Sequence, residues 1–269
     1  MKIEQDKIYK ITTWALALAV TLLTVSLVST CMRRPKAPLT RPLPGKEKPA
    51  VTAKVAIVID DMGYSLNNLE LIKNIKYPLT FSILPEVAYS RTVAQEMNNL
   101  GFEVILHLPM EPHEKTNLEK NTVLTSMAPD QIRRIVNTDL DSMPYLKGIS
   151  NHMGSMATED TKTMGVILSE LKKRRLYFLD SFVTGKSVAA FLAGKIRIKF
   201  TRRDIFLDNS ADPRYIKQQM NLLMKKARQK GQAVGIGHDR KHTLEVLNEM
   251  MPELAKQGYK FVFVSELAR

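Results

Sequence analysis

Val55-Ala-Ile-Val-Ile-Asp-Asp-Met-Gly63 is the stretch whose reading decides the fold. Five apolar residues run without alternation, the pattern of a buried strand. Asp60 and Asp61 stand side by side at its exit, and Gly63 lets the backbone turn tightly away. Adjacent carboxylates repel and are costly to desolvate. A fold keeps such a pair at a wet site, with a cation or a shared proton between them. The plainer alternative is a solvated strand-end turn, where Asp is common.

Outward from this strand one unit repeats about every 25–30 residues: an apolar run, a polar turn, an amphipathic stretch. Thr80-Phe-Ser-Ile-Leu84 predicts a second strand, and Gly101 caps the helix that follows it. Val104-Ile-Leu-His-Leu108 predicts a third. The connection from Met110 to Ala128 has no clear period, and long loops of this kind form functional lids or rims. Pro129 opens a helix with Ile132, Ile135, Val136 and Leu140 on one face. Gly148-Ile-Ser-Asn-His152 predicts a fourth strand and Leu176-Tyr-Phe-Leu179, closed by Asp180, a fifth. The segment Val188 to Ile196 is less regular. Asp204-Ile-Phe-Leu-Asp208 predicts a sixth strand, and Asp212-Pro213 starts a helix. Ala233-Val-Gly-Ile-Gly-His238 and Lys260-Phe-Val-Phe-Val-Ser265 predict the last two strands.

Seven or eight mostly parallel strands alternating with helices call for a parallel sheet with helices outside it. At this length a closed (β/α) barrel fits better than two open sheets, and barrel function collects at the C-terminal ends of strands. Asp60-Asp61, His107, Asn151-His152, Asp180, Asp208-Asn209 and His238 fall there. Asp180-Ser181 and Asp208-Asn209 are equally readable as helix caps, and a strand-end histidine as a hydrogen-bonded core residue. Convergence of several polar residues on one face favours a site. His238 and His242 have the i, i+4 spacing of a metal-binding helix, but His238 ends a Gly-rich strand, so the pair is discounted.

The chain has 269 residues, 44% hydrophobic and 25% charged, ordinary values for a globular protein. Of its net +13, residues 1–50 contribute nine Lys/Arg against three Asp/Glu, leaving 31 against 24, or +7. No basic stripe interleaved with aromatics appears in that remainder, so no nucleic-acid partner is expected. Ile11 to Met32 is an uncharged, mostly apolar run of 22, long enough to span a bilayer. Residues 1–32 are therefore expected to be a signal peptide or a signal anchor. The signal-anchor reading is preferred, with residues 11–32 in the inner membrane and the rest on its periplasmic, extracytoplasmic side. Residues 33–50, rich in Pro, Lys and Arg, read as an extended linker, and the folded domain as 51–269. Cys31 is the only cysteine, so the domain holds no disulfide and no thiolate metal site.

Carboxylate and imidazole on one rim suit a single divalent ion with open positions for water, which serves hydrolysis. A second carboxylate can act as general base and a separate histidine as acid to the leaving group. Spacing alone leaves open which aspartate takes which part.

Five motifs in order resemble the divergent polysaccharide deacetylase family. They are Val-Ile-Asp-Asp-Met-Gly (58–63), His-Leu-Pro-Met-Glu-Pro (107–112), Gly-Ile-Ser-Asn-His-Met-Gly-Ser (148–155), Phe-Leu-Asp-Ser (178–181) and Gly-Ile-Gly-His (235–238). The resemblance runs from Val55 to the C-terminus. It implies a distorted (β/α) barrel and a His-His-Asp site for a divalent metal, with zinc expected. By position it implies Asp60 as catalytic base and Asp61, His107 and His152 as metal ligands. His238 would be the acid, and Asp180 would orient a neighbour or bind substrate; Asn151 and Asp208, on the same rim, are expected to support the site or bind substrate. His107 and His152 are 45 residues apart and meet only if the third and fourth strands are neighbours. No obvious counterpart stands where the resemblance expects an arginine that steers the base.

The function this implies is a metal-dependent hydrolase that removes N-acetyl groups from an envelope polysaccharide such as peptidoglycan. The alternative is a glycan-binding or envelope-assembly protein that keeps the barrel without turnover.

Overall fold

The computed structural model describes residues 53–269 and, within the N-terminal apolar run, residues 14–16 and 18–24. The chain divides into two units, Met1–Glu47 and Lys48–Arg269. In the first, the described residues are helical and exposed. The rest of the expected membrane segment 11–32, and all of the linker 33–50, lie outside the described residues. No described helix is long and apolar enough to cross a membrane.

The second unit is built on one sheet of nine strands. They are β1 (Ala53–Met62), β2 (Thr80–Ile83), β3 (Glu103–Met110), β4 (Leu146–Met153), β5 (Tyr177–Asp180), β6 (Phe200–Arg202), β7 (Ile205–Phe206), β8 (Gln232–His238) and β9 (Tyr259–Phe261). Their order is β6-β5-β4-β3-β2-β1-β8-β7, with β9 also paired to β1. Every strand pairing is parallel. Seven helices follow the strands: α1 (Leu69–Asn74), α2 (Ser90–Asn99), α3 (Pro129–Ser142), α4 (Thr161–Arg174), α5 (Ala189–Ile196), α6 (Pro213–Lys230) and α7 (Lys241–Lys256).

Two apolar layers show that the sheet curls around its own core. Val55, Ile57 and Ile59 of β1 pack with the helices in the larger cluster. Ala56 and Val58, pointing the other way, pack with Ile105, Leu179, Val234, Ile236 and the C-terminal Val262, Val264 and Leu267. Successive strand side chains alternate between faces, so even positions of β1 and β8 and odd positions of β3 line the interior. The chain end closes the lower mouth: Val264 N–H donates to Thr80 Oγ1 and Ser265 N–H to Glu103 Oε1, both at 3.2 Å.

The expected sixth and last strands are corrected. Asp204 to Asp208 is not one strand. The run from Phe200 to Phe206 pairs with β5 at its start and with β8 at its end. Between them Arg203 N–H donates to the carbonyl of Asp180 and Asp204 N–H to that of Val234. Asp204 drives the switch, because its carboxylate also accepts from Val234 N–H at 3.0 Å and from Lys230 at 2.7 Å. The two sheet edges are thus joined by one run of chain, giving a distorted barrel with a split wall. The last strand stops at Phe261, and Val264–Glu266 is a 3₁₀ turn. Val188–Ile196, irregular in sequence, contains α5. Pro129 and Pro213 do open helices, and Gly101 takes a φ of +81° after α2.

Candidate metal centre and catalytic site

The alternation that builds the interior also builds the site. Asp60 continues the inward parity of Ala56 and Val58, His107 that of Ile105, and His238 that of Val234 and Ile236. His152 shares the parity of Ser150 on β4. All four reach the rim at the C-terminal ends of the strands. Asp61, one residue beyond Asp60, should point to the opposite face. It does not, because its φ is +58° and the β1–β2 register shifts between Ile59 and Met62. That bulge swings the second carboxylate back onto the site. Met153 and Phe182, at φ of +51° and +50°, mark similar left-handed positions at neighbouring strand ends, the kind of strain that clusters at functional sites.

β3 and β4 are neighbours, with His107 opposite Ser150 and Pro109 opposite His152. The two imidazoles meet edge to face, 5.0 Å between centroids. Asp61 Oδ1 sits 3.2 Å from His107 Nε2 and 2.9 Å from His152 Nδ1. One donor atom from each of Asp61, His107 and His152 lies within 4.8 Å of the others. His107 Nδ1 is engaged at 2.7 Å by Ser150 Oγ, itself 2.5 Å from Ser82 Oγ, which leaves Nε2 facing the cluster. Two imidazole nitrogens and a carboxylate oxygen are the donor set that a divalent ion such as zinc takes. These residues fit such an ion.

Asp60 is buried beside this cluster, its Oδ2 3.7 Å from His107 Nε2 and its Oδ1 without a hydrogen-bond partner among the described residues. Burial pushes its carboxyl above the ordinary range, against the pull of the His107 charge. Asp61 differs. Burial alone would raise it, but hydrogen bonds from His107 and His152 outweigh that and hold it well below the usual carboxylate range. Two adjacent aspartates are thus driven apart in acidity by their surroundings.

His238 stands opposite, its Nε2 3.7 Å from Asp61 Oδ2. Asp208 holds the other side of the ring: Nδ1 to Oδ1 is 2.7 Å, and Asp208 Oδ2 accepts from the His238 N–H and from Thr243 Oγ1. Desolvation would lower the imidazole, but the Asp208 contact raises it overall. Asp208 is therefore no helix cap.

Asp180 and Asn151 serve the loops. Asp180 accepts from Phe182 N–H and Ser187 Oγ, both at 2.7 Å. Asn151 donates to the carbonyl of Met153 and accepts from Ser181 N–H. His242 pairs with Glu245 at 3.0 Å, which supports setting aside the His238/His242 spacing.

Three contributors were not legible in sequence as parts of the site. Arg203 binds the carbonyls of Ser181 and Phe182 and lies 3.7 Å over the ring of Phe206, which stacks on His238 at 5.8 Å. Its charge interacts with Asp180 and Asp60. It falls one residue before the expected sixth strand, where nothing in the pattern marked it. Ser150 was legible only as a strand residue. Tyr64 donates to the Glu119 carboxylate, fastening the turn after β1 to the long loop after β3. That loop is tied at its other end by His113 to Glu159 at 3.1 Å.

A curled parallel α/β sheet carrying a His-His-Asp cluster on its upper rim defines a deacetylase-like fold. The chain belongs to the divergent polysaccharide deacetylase family, whose family model matches residues 57–268. It is 37% identical over 206 residues to the uncharacterized protein YibQ of Escherichia coli strain K12, covering 77% of this chain. This chain spans 65% of the length of that relative. An uncharacterized protein of Haemophilus influenzae is 35% identical over 195 residues, covering 72% of this chain and 70% of its own. Among solved structures, the uncharacterized protein ATU2773 of Agrobacterium tumefaciens C58 superposes with a TM-score of 0.76 at 22% identity, covering 83% and 92% of the two chains. That likeness shows the fold.

Proposed function

We propose that the protein is a metal-dependent amide hydrolase that removes N-acetyl groups from an envelope polysaccharide, peptidoglycan or a related glycan. The observation that carries this is the convergence of Asp61, His107 and His152 within 4.8 Å beside a buried aspartate with a free oxygen. Asp61, His107 and His152 would hold the ion, with zinc the best match to their donor set. Bound there, it would polarise the amide carbonyl and acidify a water.

The chain's own residues divide the proton work. Asp60, with Oδ1 unpartnered, accepts the proton of the attacking water. His238 holds a proton on the Nε2 that faces the cluster, since Asp208 occupies Nδ1, and gives it to the nitrogen of the leaving amine. The amide C–N bond breaks as that nitrogen is protonated, leaving acetate and a free hexosamine amine. Ser150 keeps Nε2 of His107 turned to the cluster. Asn151 and Asp180 shape the loops beside it. In this reading residues 11–32 anchor the protein on the periplasmic side of the inner membrane, where such glycans are accessible.

Purified protein incubated with N-acetylhexosamine oligomers and a series of divalent metals should release acetate, and chelation should stop it. Absence of acetate across several metals and glycans would remove the enzymatic reading. Glycan binding that persists after chelation and in Asp60→Asn would then support a binding protein on the same barrel.

A further inference from the structure

The two segments beside the split in the barrel wall contain no acidic residue. Residues 181–203 carry six Lys/Arg, and α6, residues 213–230, carries six more. Residues 51–269 are only +7 in total, so everything outside these two segments is net −5. The net positive charge of the domain is thus carried by the two segments that flank the split.

Both segments line the same groove, of about 650 Å³, through Ala190 of α5, Lys230 of α6 and Phe200 and Arg202 on β6. Some of the cations are engaged: Lys217 with Glu249, Lys230 with Asp204, and Arg203 with the rim of the catalytic site. Lys195, Arg197, Lys199 and Lys225 are exposed and form no ion pair among the described residues. Among them stand two exposed apolar side chains. Phe191 on α5 is 72% exposed and Leu222 on α6 45%. Leu222 lies one turn before Lys226, whose ammonium donates to the carbonyl of Asp204, so this stripe of α6 borders the groove.

We propose that this face docks on an anionic phospholipid surface. Phe191 and Leu222 enter the headgroup layer and the surrounding lysines and arginines meet the lipid phosphates. Exposed apolar side chains ringed by cations are the composition of an interfacial contact. A dissolved polyanion such as a nucleic acid would satisfy the charge but leave Phe191 in water. The docking holds the domain by a face distinct from the strand-end rim, which stays open to glycan.

The chain has one tryptophan, Trp14, so the full-length double variant Trp14→Phe, Phe191→Trp reports from α5 alone. Its emission should shift to the blue on phosphatidylcholine vesicles holding about 30% phosphatidylglycerol, and not on phosphatidylcholine alone. About 0.5 M NaCl, where screening reaches only a few ångström, should abolish the shift. Adding Lys195→Glu and Lys199→Glu should weaken partitioning by on the order of ten-fold or more. If the tryptophan variant fails to fold, amide exchange of the wild-type chain reads the same contact, as slower exchange in residues 186–202 on the anionic vesicles only. No response on any vesicle, an equal response on both lipids, or the same blue shift with duplex DNA would overturn the proposal.

Discussion

Asp208 Oδ1 lies 2.7 Å from His238 Nδ1, and the same carboxylate accepts the His238 backbone N–H and the Thr243 hydroxyl. Asp208 is fully buried, and burial alone would raise its carboxyl; the His238 contact outweighs this and keeps it below the usual range. A buried anion held by three donors fixes both the orientation and the tautomer of the ring it faces.

Asp208→Asn should therefore leave the fold intact and damage proton delivery. Acetate release is expected to fall by on the order of 10³-fold in kcat, by analogy with loss of the orienting aspartate in other His–Asp pairs. KM and metal content should change little. A rise in KM with kcat unchanged would mean that Asp208 shapes the substrate pocket instead.

Ser150 Oγ holds Nδ1 of His107 at 2.7 Å. Ser150→Ala frees the ring to rotate away from the cluster. Metal affinity, measured by competition with a chelating dye, should drop by about 10- to 100-fold, the usual effect of removing a hydrogen bond that orients a ligand. Unchanged affinity would show that packing alone holds His107.

Asp139 offers a pH prediction far from the site. It lies on the buried face of α3 with Ile132, Val136 and Leu140, and neither carboxylate oxygen has a hydrogen-bond partner among the described residues. Burial, with the nearby Glu86 charge, pushes it up to about 7. The unfolded chain ionises it near its ordinary value of 3.8, so between there and about pH 7 the folded state binds the extra proton. Stability from this group is full below the unfolded value and is lost as pH rises through the folded one. Asp139→Asn should match wild type near pH 4 and exceed it by on the order of a few kcal/mol above pH 7. Equal pH dependence of the two in thermal melts would show the carboxylate to be solvated.

Gly63 has a φ of +116°, and a Cβ there would approach Val87 Cγ2 to 2.8 Å. Gly63→Ala meets both strain and contact, so a loss of about 1–3 kcal/mol is expected. For a domain of this size that is a fall of about 2–4 °C in Tm per kcal/mol.

Much of the scaffold was legible because its signals are local. Unbroken apolar runs marked the central strands, and Pro129, Pro213 and Gly101 marked helix ends through their own backbone chemistry. The rim residues followed from strand direction, since each strand ends where its polar residue begins. What failed was non-local. The split of the sixth strand depends on Asp204 reaching Val234 and Lys230, about 30 residues away in the chain. Arg203 acts through carbonyls and a ring that only folding brings near. The position of Asp61 depends on a bulge: a period of two would have sent it outward. Asp139 is invisible for the same reason, since a single acid on an apolar stripe reads as a surface residue.

The proposed ion site is Asp61, His107 and His152. Its most direct test is elemental analysis of the purified protein beside His107→Ala and His152→Ala, each checked for native circular dichroism. About one divalent ion per chain is expected in the wild type, the stoichiometry of one such cluster, and little in either variant. Full retention of metal by both folded variants would contradict it.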